Sequence, residues 1–135
     1  MNYWLIKSEP FKYSWEQFKK DKITSWDGVR NYAARNNLKA MKKGDLVLFY
    51  HSNEGLCVVG IAKVAKEHYQ DPTTKEEAWV AVDFAPFKAL KTPVTLAQIK
   101  DDDYLKDMQL IKLQRLSVSM VKPEEFDRIC LLGGL

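Results

Sequence analysis

Apolar side chains occur in short blocks separated by turn residues, and the period of the blocks changes along the chain. Tyr3 to Lys7 is an apolar run stopped by Ser8, Glu9 and Pro10, which reads as a strand entering a turn. Ser14 and Gln17 have the spacing of a capping box, flanked by Tyr13 and Phe18 at the positions of a hydrophobic staple. A short helix over Trp15 to Lys20 is therefore predicted. Ile23 to Asp27 is a brief extended piece, and Gly28 permits a turn into a longer helix from Val29 to Lys42. At helical spacing Ala34, Leu38 and Met41 share a packing stripe, while Asn31, Arg35, Lys39 and Lys42 share a polar, cationic one.

Beyond the turn at Gly44 and Asp45 the period becomes that of strands. Leu46 to His51 and Leu56 to Ala65 bracket the polar loop Ser52 to Gly55, a hairpin. The chain then turns through His68 to Pro72, and Ala78 to Phe87 returns as a further strand. Thr95 and Gln98 repeat the capping box, with Val94 and Ile99 as staple, ahead of a short helix over Leu96 to Lys100 and a solvated acidic loop, Asp101 to Asp103. Leu116 to Val121 is a last strand. Pro123, Glu124 and Glu125 open a closing helix through Leu132, after which Gly133 and Gly134 read as a disordered end. Meandering strands between short helices specify an α+β fold with a mixed or antiparallel sheet, and such a sheet is expected to curl into a small barrel. With 135 residues and no linker, repeat or low-complexity tract, residues 1–135 read as one domain.

Composition adds two constraints. Four Trp, six Tyr and six Phe exceed what a core of this size must hold, and several stand beside charges and turn residues, so some rings are expected at a surface or pocket. The net charge of +3 suits a polyanionic partner without demanding one. No apolar run approaches the ~20 residues of a membrane span, and no leader pattern opens the chain, so a cytoplasmic, membrane-free, monomeric protein is expected. Cys57 and Cys130 form no CxxC pair and read as buried reduced thiols. Phosphate loops, GxGxxG, HExxH and GxSxG are all missing, and no SxxK marks an activated serine, so neither cofactor nor metal is expected and no catalytic motif is found. His51, between Tyr50 and Ser52 at a strand end, suits a hydrogen-bonding structural or pocket role better than that of a general base.

Rings and polar groups coincide at element ends in three stretches: Lys7 to Pro10, Trp26 to Asn36, and Tyr69 to Pro72. Loops from separate strands converge on pockets in this way. The blocks YWLIKSEP (3–10), SW (14–15), WDGVRNYAARNNLKAM (26–41), GDLVLFYHS (44–52), VVGIAKV (58–64), PV (93–94) and RLSV (115–118) follow in an order and spacing that resemble the EVE domain family. The resemblance runs along nearly the whole chain. It implies a PUA-like fold, a curled pseudo-barrel sheet flanked by short helices and related to the YTH domains that read methylated adenine in RNA. It further implies noncatalytic binding of a modified nucleobase, with modified cytosine in DNA leading and a modified base in RNA second.

By analogy with the YTH cage, Trp26 would form one wall of the pocket and the stretch Tyr69 to Pro72 another. Lys7 and Ser8 would line the floor, Asn31 and Ser52 would add polar groups, and Asp71 or Glu9 would accept from an exocyclic amine. Arg30, Arg35 and Lys39 would hold phosphates. Each choice has a plainer reading beside it: Trp26 as a cap on the core, Tyr69 to Pro72 as a turn, Arg35 and Lys39 as a solvated face. Two positions depart from what the resemblance leads one to expect, Ala33 in place of Gln and Met120 in place of Pro. Alternatives to a reader are an enzyme acting on a nucleotide or modified nucleic acid, with Asp71 or His51 as base, and an adaptor whose exposed rings bind another protein.

Overall fold

A computed structural model describes all 135 residues. In chain order the elements are β1 (Tyr3–Ser8), α1 (Trp15–Asp21), β2 (Thr24–Trp26), α2 (Tyr32–Ala40), β3 (Leu46–His51), β4 (Cys57–Gln70), β5 (Val80–Thr95), α3 (Leu96–Asp101), α4 (Gln109–Lys112), β6 (Val118–Val121) and α5 (Pro123–Leu132). The strands form one six-stranded mixed sheet in the order β2-β5-β4-β3-β1-β6, confirming the α+β class. Every pairing is antiparallel except β1 with β3, which run parallel with Lys7 opposite Tyr50 and Ser8 opposite His51.

The unbroken apolar runs of β1 and β3 follow from burial on both sheet faces. Trp4, Ile6, Val47 and Phe49 enter one core with Trp15 and Phe18 of α1 and Ala34 and Leu38 of α2. Leu5, Leu48 and Tyr50 enter the other with Ile99, Leu110, Phe126 and Ile129 from the later helices. Alternating side chains thus feed two cores, so period-2 polarity is absent where it would otherwise mark a strand. Each large apolar side chain so enclosed contributes about 1.5–3 kcal/mol. No helix is long and apolar enough to cross a membrane.

The sheet curls but does not close, which corrects the barrel expectation. β2 and β6, with three and four residues, remain its two edges. Side chains occupy part of the β6 backbone: Asn37 donates to the Val118 carbonyl at 2.7 Å, and Gln109 accepts from the Met120 amide at 3.0 Å. An edge so covered offers little to another strand. Curvature comes from four register shifts between β4 and β5, whose length also exceeds expectation. The polar stretch Lys66 to His68 stays in β4 as a solvent-facing ribbon, placing Tyr69 in a strand and not in the turn.

The local capping signals are fulfilled only in part. Ser14 accepts from the Gln17 amide, but the Gln17 side chain turns to Asp21, so only half of that capping box forms. The Thr95–Gln98 box is complete. α2 starts three residues later than expected, because Asn31 is its N-cap and accepts from the Ala34 amide. Asp102 is not solvated: its side chain is 8% exposed and meets Arg128 at 2.8 Å. Nor is the C-terminal end loose, since the Gly133 carbonyl accepts from the Lys91 and Thr92 amides. Cys57 is buried, whereas Cys130 is only half-buried.

Gly60 lets the Trp15 ring lie against β4, for a Cβ there would fall 2.4 Å from the ring. Gly60→Ala is therefore expected to lower the unfolding free energy by about 1–3 kcal/mol, as overpacking does. Urea denaturation checks this; a midpoint equal to wild type would contradict the packing described.

Candidate nucleic-acid interface

Parallel strands whose connections leave in different directions open a crevice at their carboxyl ends. β1 and β3 do this. The chain leaves Ser8 toward α1 and leaves His51 into the hairpin loop, and the Ser52 amide donates to the Ser8 carbonyl at 2.9 Å, tying the two ends together. Three depressions surround this point. One, of about 470 Å³, lies between Trp26, Tyr13, the loop 27–30 and the Lys7–Glu9 stretch. A second, of about 500 Å³, shares Lys7, Glu9 and Ser117 with it. A third, of about 470 Å³, contains Asn31 and Ala33 and shares Gln114 and Arg115 with the second.

Trp26 is wedged by rings, with Tyr13, Phe49 and Phe84 edge-on at centroid distances of 6.1, 5.9 and 5.9 Å. Its remaining surface faces the first cavity, so it caps the core and walls the cavity at once. Ser8 is buried and its hydroxyl donates to the Tyr13 carbonyl at 2.5 Å. Lys7 donates to the Gln114 carbonyl at 2.6 Å and meets no carboxylate. Burial pushes its ammonium pKa down, so a half-desolvated cation stands at the junction of two cavities. The Glu9 carboxylate accepts from Asn53 at 2.6 Å and pairs with Lys12 at 3.0 Å at the rim.

The wall beyond Trp26 is held by Asp71. This carboxylate is fully buried and accepts from the Gly28 amide at 2.8 Å, Arg30 Nη1 at 2.9 Å, the Thr73 amide at 2.7 Å and the Thr73 hydroxyl at 2.6 Å. Burial alone would raise its pKa, but these hydrogen bonds outweigh burial and hold it well below the usual carboxylate range. Gly28 adopts φ +75°, a conformation that suits glycine and aims its amide at Asp71.

The expected residues separate into two groups. Lys7, Ser8, Glu9, Trp26 and Arg30 meet around the first cavity, and Ser52 lines the second. Tyr69 and Asp71 line neither. The Tyr69 hydroxyl bonds Asp83 and Ser25, which itself lines the first cavity, so Tyr69 stands behind Ser25 and not in the wall. Asp71 has its lone pairs filled and no surface for an exocyclic amine. Asn31 caps α2 and borders the third cavity only. Among the phosphate candidates, Arg30 is clamped between Asp71 and Thr73 over the Trp79 ring, and Arg35 donates to the Ala78 carbonyl beside Tyr32. Lys39 is exposed and lines none of the three cavities.

Sequence reasoning missed Asp27, Tyr13, Ser117 and Arg115. Asp27 is exposed on the first cavity and accepts no hydrogen bond within the chain; its signal was its place between Trp26 and a turn glycine. Arg115, also free of partners, stands where the second and third cavities meet.

The sequence model described as EVE domain matches residues 2–132. The chain belongs to the EVE domain family. This EVE domain is 38% identical to thymocyte nuclear protein 1 of Mus musculus, covering 97% of this chain and 73% of that protein. It superposes on protein Atu2648 of Agrobacterium tumefaciens with a TM-score of 0.98 at 47% identity, covering 100% and 94% of the two chains. It superposes on human THYN1, solved in complex with DNA containing 5-methylcytosine, with a TM-score of 0.92 at 36% identity, covering 100% and 99%. The PUA-like architecture expected from sequence is thus the architecture of the family.

Asp71→Asn keeps the shape of the side chain but not its charge. At pH 7 it is expected to cost about 2–4 kcal/mol of stability, since Arg30 and three further donors lose a charged acceptor. A carboxyl held below its unfolded pKa stabilises the fold above pH ~4 and loses that contribution as acid carries the pH down toward its folded value. The gap between wild type and Asp71→Asn in urea denaturation should therefore narrow from pH 7 to pH 3. A gap that stayed constant would contradict the assignment.

Proposed function

We propose that this EVE domain binds DNA carrying a modified cytosine, taking that base out of its stack into the cavity walled by Trp26, and that it does so without catalysis. The observation that carries the proposal is that cavity: a ring held rigid by three others, a partly desolvated lysine without a counter-charge, and a free carboxylate on one rim. The likeness to human THYN1, solved with 5-methylcytosine DNA, supports the choice of base.

The energetics suit this use. Unstacking a base costs a few kcal/mol, and stacking on an aromatic side chain returns about 1–3 kcal/mol. A ring already immobilised by Tyr13, Phe49 and Phe84 loses little further freedom when a base arrives. Cytosine presents ring acceptors on one side and an amine on the other. Lys7 is suited to the acceptors, and Asp27 or Glu9 to the amine, in place of the buried Asp71. Arg115, Lys100 and Lys12, which border the cavities, take the phosphate role expected of Arg35 and Lys39.

Neither group singled out as a base is placed for catalysis. Asp71 is buried and saturated. His51 Nε2 accepts from the Trp15 amide at 3.1 Å, burial lowers its pKa, and it lines none of the three cavities. It acts as a neutral acceptor at the start of α1.

Short duplexes identical except for one cytosine, methylcytosine or hydroxymethylcytosine test the proposal. Wild type should favour a modified base severalfold, and Trp26→Ala should lose about tenfold or more in affinity together with the preference, its fold being checked by thermal melting. The same affinity for every duplex, untouched by the substitution, would refute base reading. An RNA strand of the same sequence serves as the competing ligand. The logarithm of the affinity should also fall linearly with the logarithm of salt concentration, as phosphate contacts require; a flat salt profile would favour a protein-binding adaptor.

A further inference from the structure

The second cavity contains a donor with nothing to bond. Tyr50 is 3% exposed, yet its hydroxyl makes no hydrogen bond within the chain. The buried side-chain atoms without partner are confined to Trp15 Nε1 and Ser119 Oγ, so the Tyr50 oxygen retains its opening to the cavity. Burial and the nearby Cys57 push its pKa up to about 12, which keeps the proton in place for donation. A phenol so enclosed is usually hydrogen-bonded.

Around it the cavity is two-sided. Leu96 and Leu110 supply apolar wall, while Lys100 and Arg115, neither of them paired within the chain, supply free positive charge at the mouth. Lys7 stands directly opposite Tyr50 in the parallel β1–β3 pairing and lines the Trp26 cavity as well. A chain passing from one cavity to the other would cross Lys7, Glu9 and Ser117.

We infer that the Tyr50 cavity receives the nucleotide adjoining the base held at Trp26, with its base against Leu96 and Leu110, an acceptor of that base on the Tyr50 hydroxyl, and its phosphate toward Arg115 and Lys100. The inference rests on the reading of the Trp26 cavity as a base site, and it extends that site from one nucleotide to two. It also gives the half-buried Lys7 its counter-charge: with one proton on the Gln114 carbonyl, the ammonium has a second for the cytosine acceptors and a third for the phosphate that links the two nucleotides.

A two-by-two binding cycle tests it, with wild type and Tyr50→Phe against a methylcytosine oligonucleotide with intact neighbours and against one whose neighbours on both sides are abasic. Tyr50→Phe keeps the ring and should melt as wild type does. On the intact ligand it should weaken binding about three- to tenfold, the effect of one hydrogen bond. On the abasic ligand it should change nothing. Tyr50→Phe without effect on the intact ligand, or with equal effect on both, overturns the inference. Unmodified cytosine in the same two ligands separates the two levels. If wild type shows no preference for methylcytosine but the neighbour effect persists and vanishes in Tyr50→Phe, the base reading fails while the second subsite is upheld.

Discussion

Asp71 lies where the β4–β5 ribbon meets the loop after β2, wholly removed from solvent, and its two oxygens take hydrogen bonds from Gly28, Arg30 and Thr73. A buried carboxylate is tolerated only when its charge and lone pairs are met, so these partners are not optional. Meeting them fixes the course of residues 27–30, and with it one wall of the Trp26 cavity. It also holds Arg30 over Trp79 with its charge already met by a buried carboxylate. One constraint thus shapes the cavity and decides which cations remain free to meet a polyanion.

The second constraint is topological. Because β1 and β3 are parallel and central, both faces of each are covered, and their ends form a crevice that no antiparallel hairpin would leave. Alternation along β1 then sends Ser8 to the Trp26 side, while Lys7 leaves the strand opposite Tyr50 and is long enough to line both cavities. Neighbouring residues in sequence serve neighbouring cavities in space. The edge-on packing of Trp26 against rings from α1's approach, β3 and β5 joins the crevice to the core, so the site inherits the rigidity of the sheet.

Much of the fold was legible. Capping residues located α1 and α3, Pro123 located α5, and the apolar runs located β1 and β3. What escaped was what local pattern does not encode. The outer half of β4 is polar because its ribbon faces water on both sides, and α4 is a single turn with no side-chain cap. Of the site, the stretches around Lys7 and Trp26 were visible as rings and polar groups at element ends, and the structure brings them together. Tyr69 and Asp71 were misplaced for one reason: a residue near a strand end can stand behind a pocket's wall, and a carboxylate near a pocket can point away from it into the protein. Tyr50 was hidden in an apolar run, where a phenol looks like any other core ring.

The central claim is that a modified cytosine leaves its stack and lies on Trp26. Intermolecular nuclear Overhauser effects in the complex with a duplex containing one 5-methylcytosine address it directly. The account predicts contacts from the cytosine methyl or ring proton to the Trp26 indole and Tyr13, with loss of the imino signal of that base pair. Methyl contacts to Tyr69, or an intact imino signal with no contact to Trp26, would contradict it.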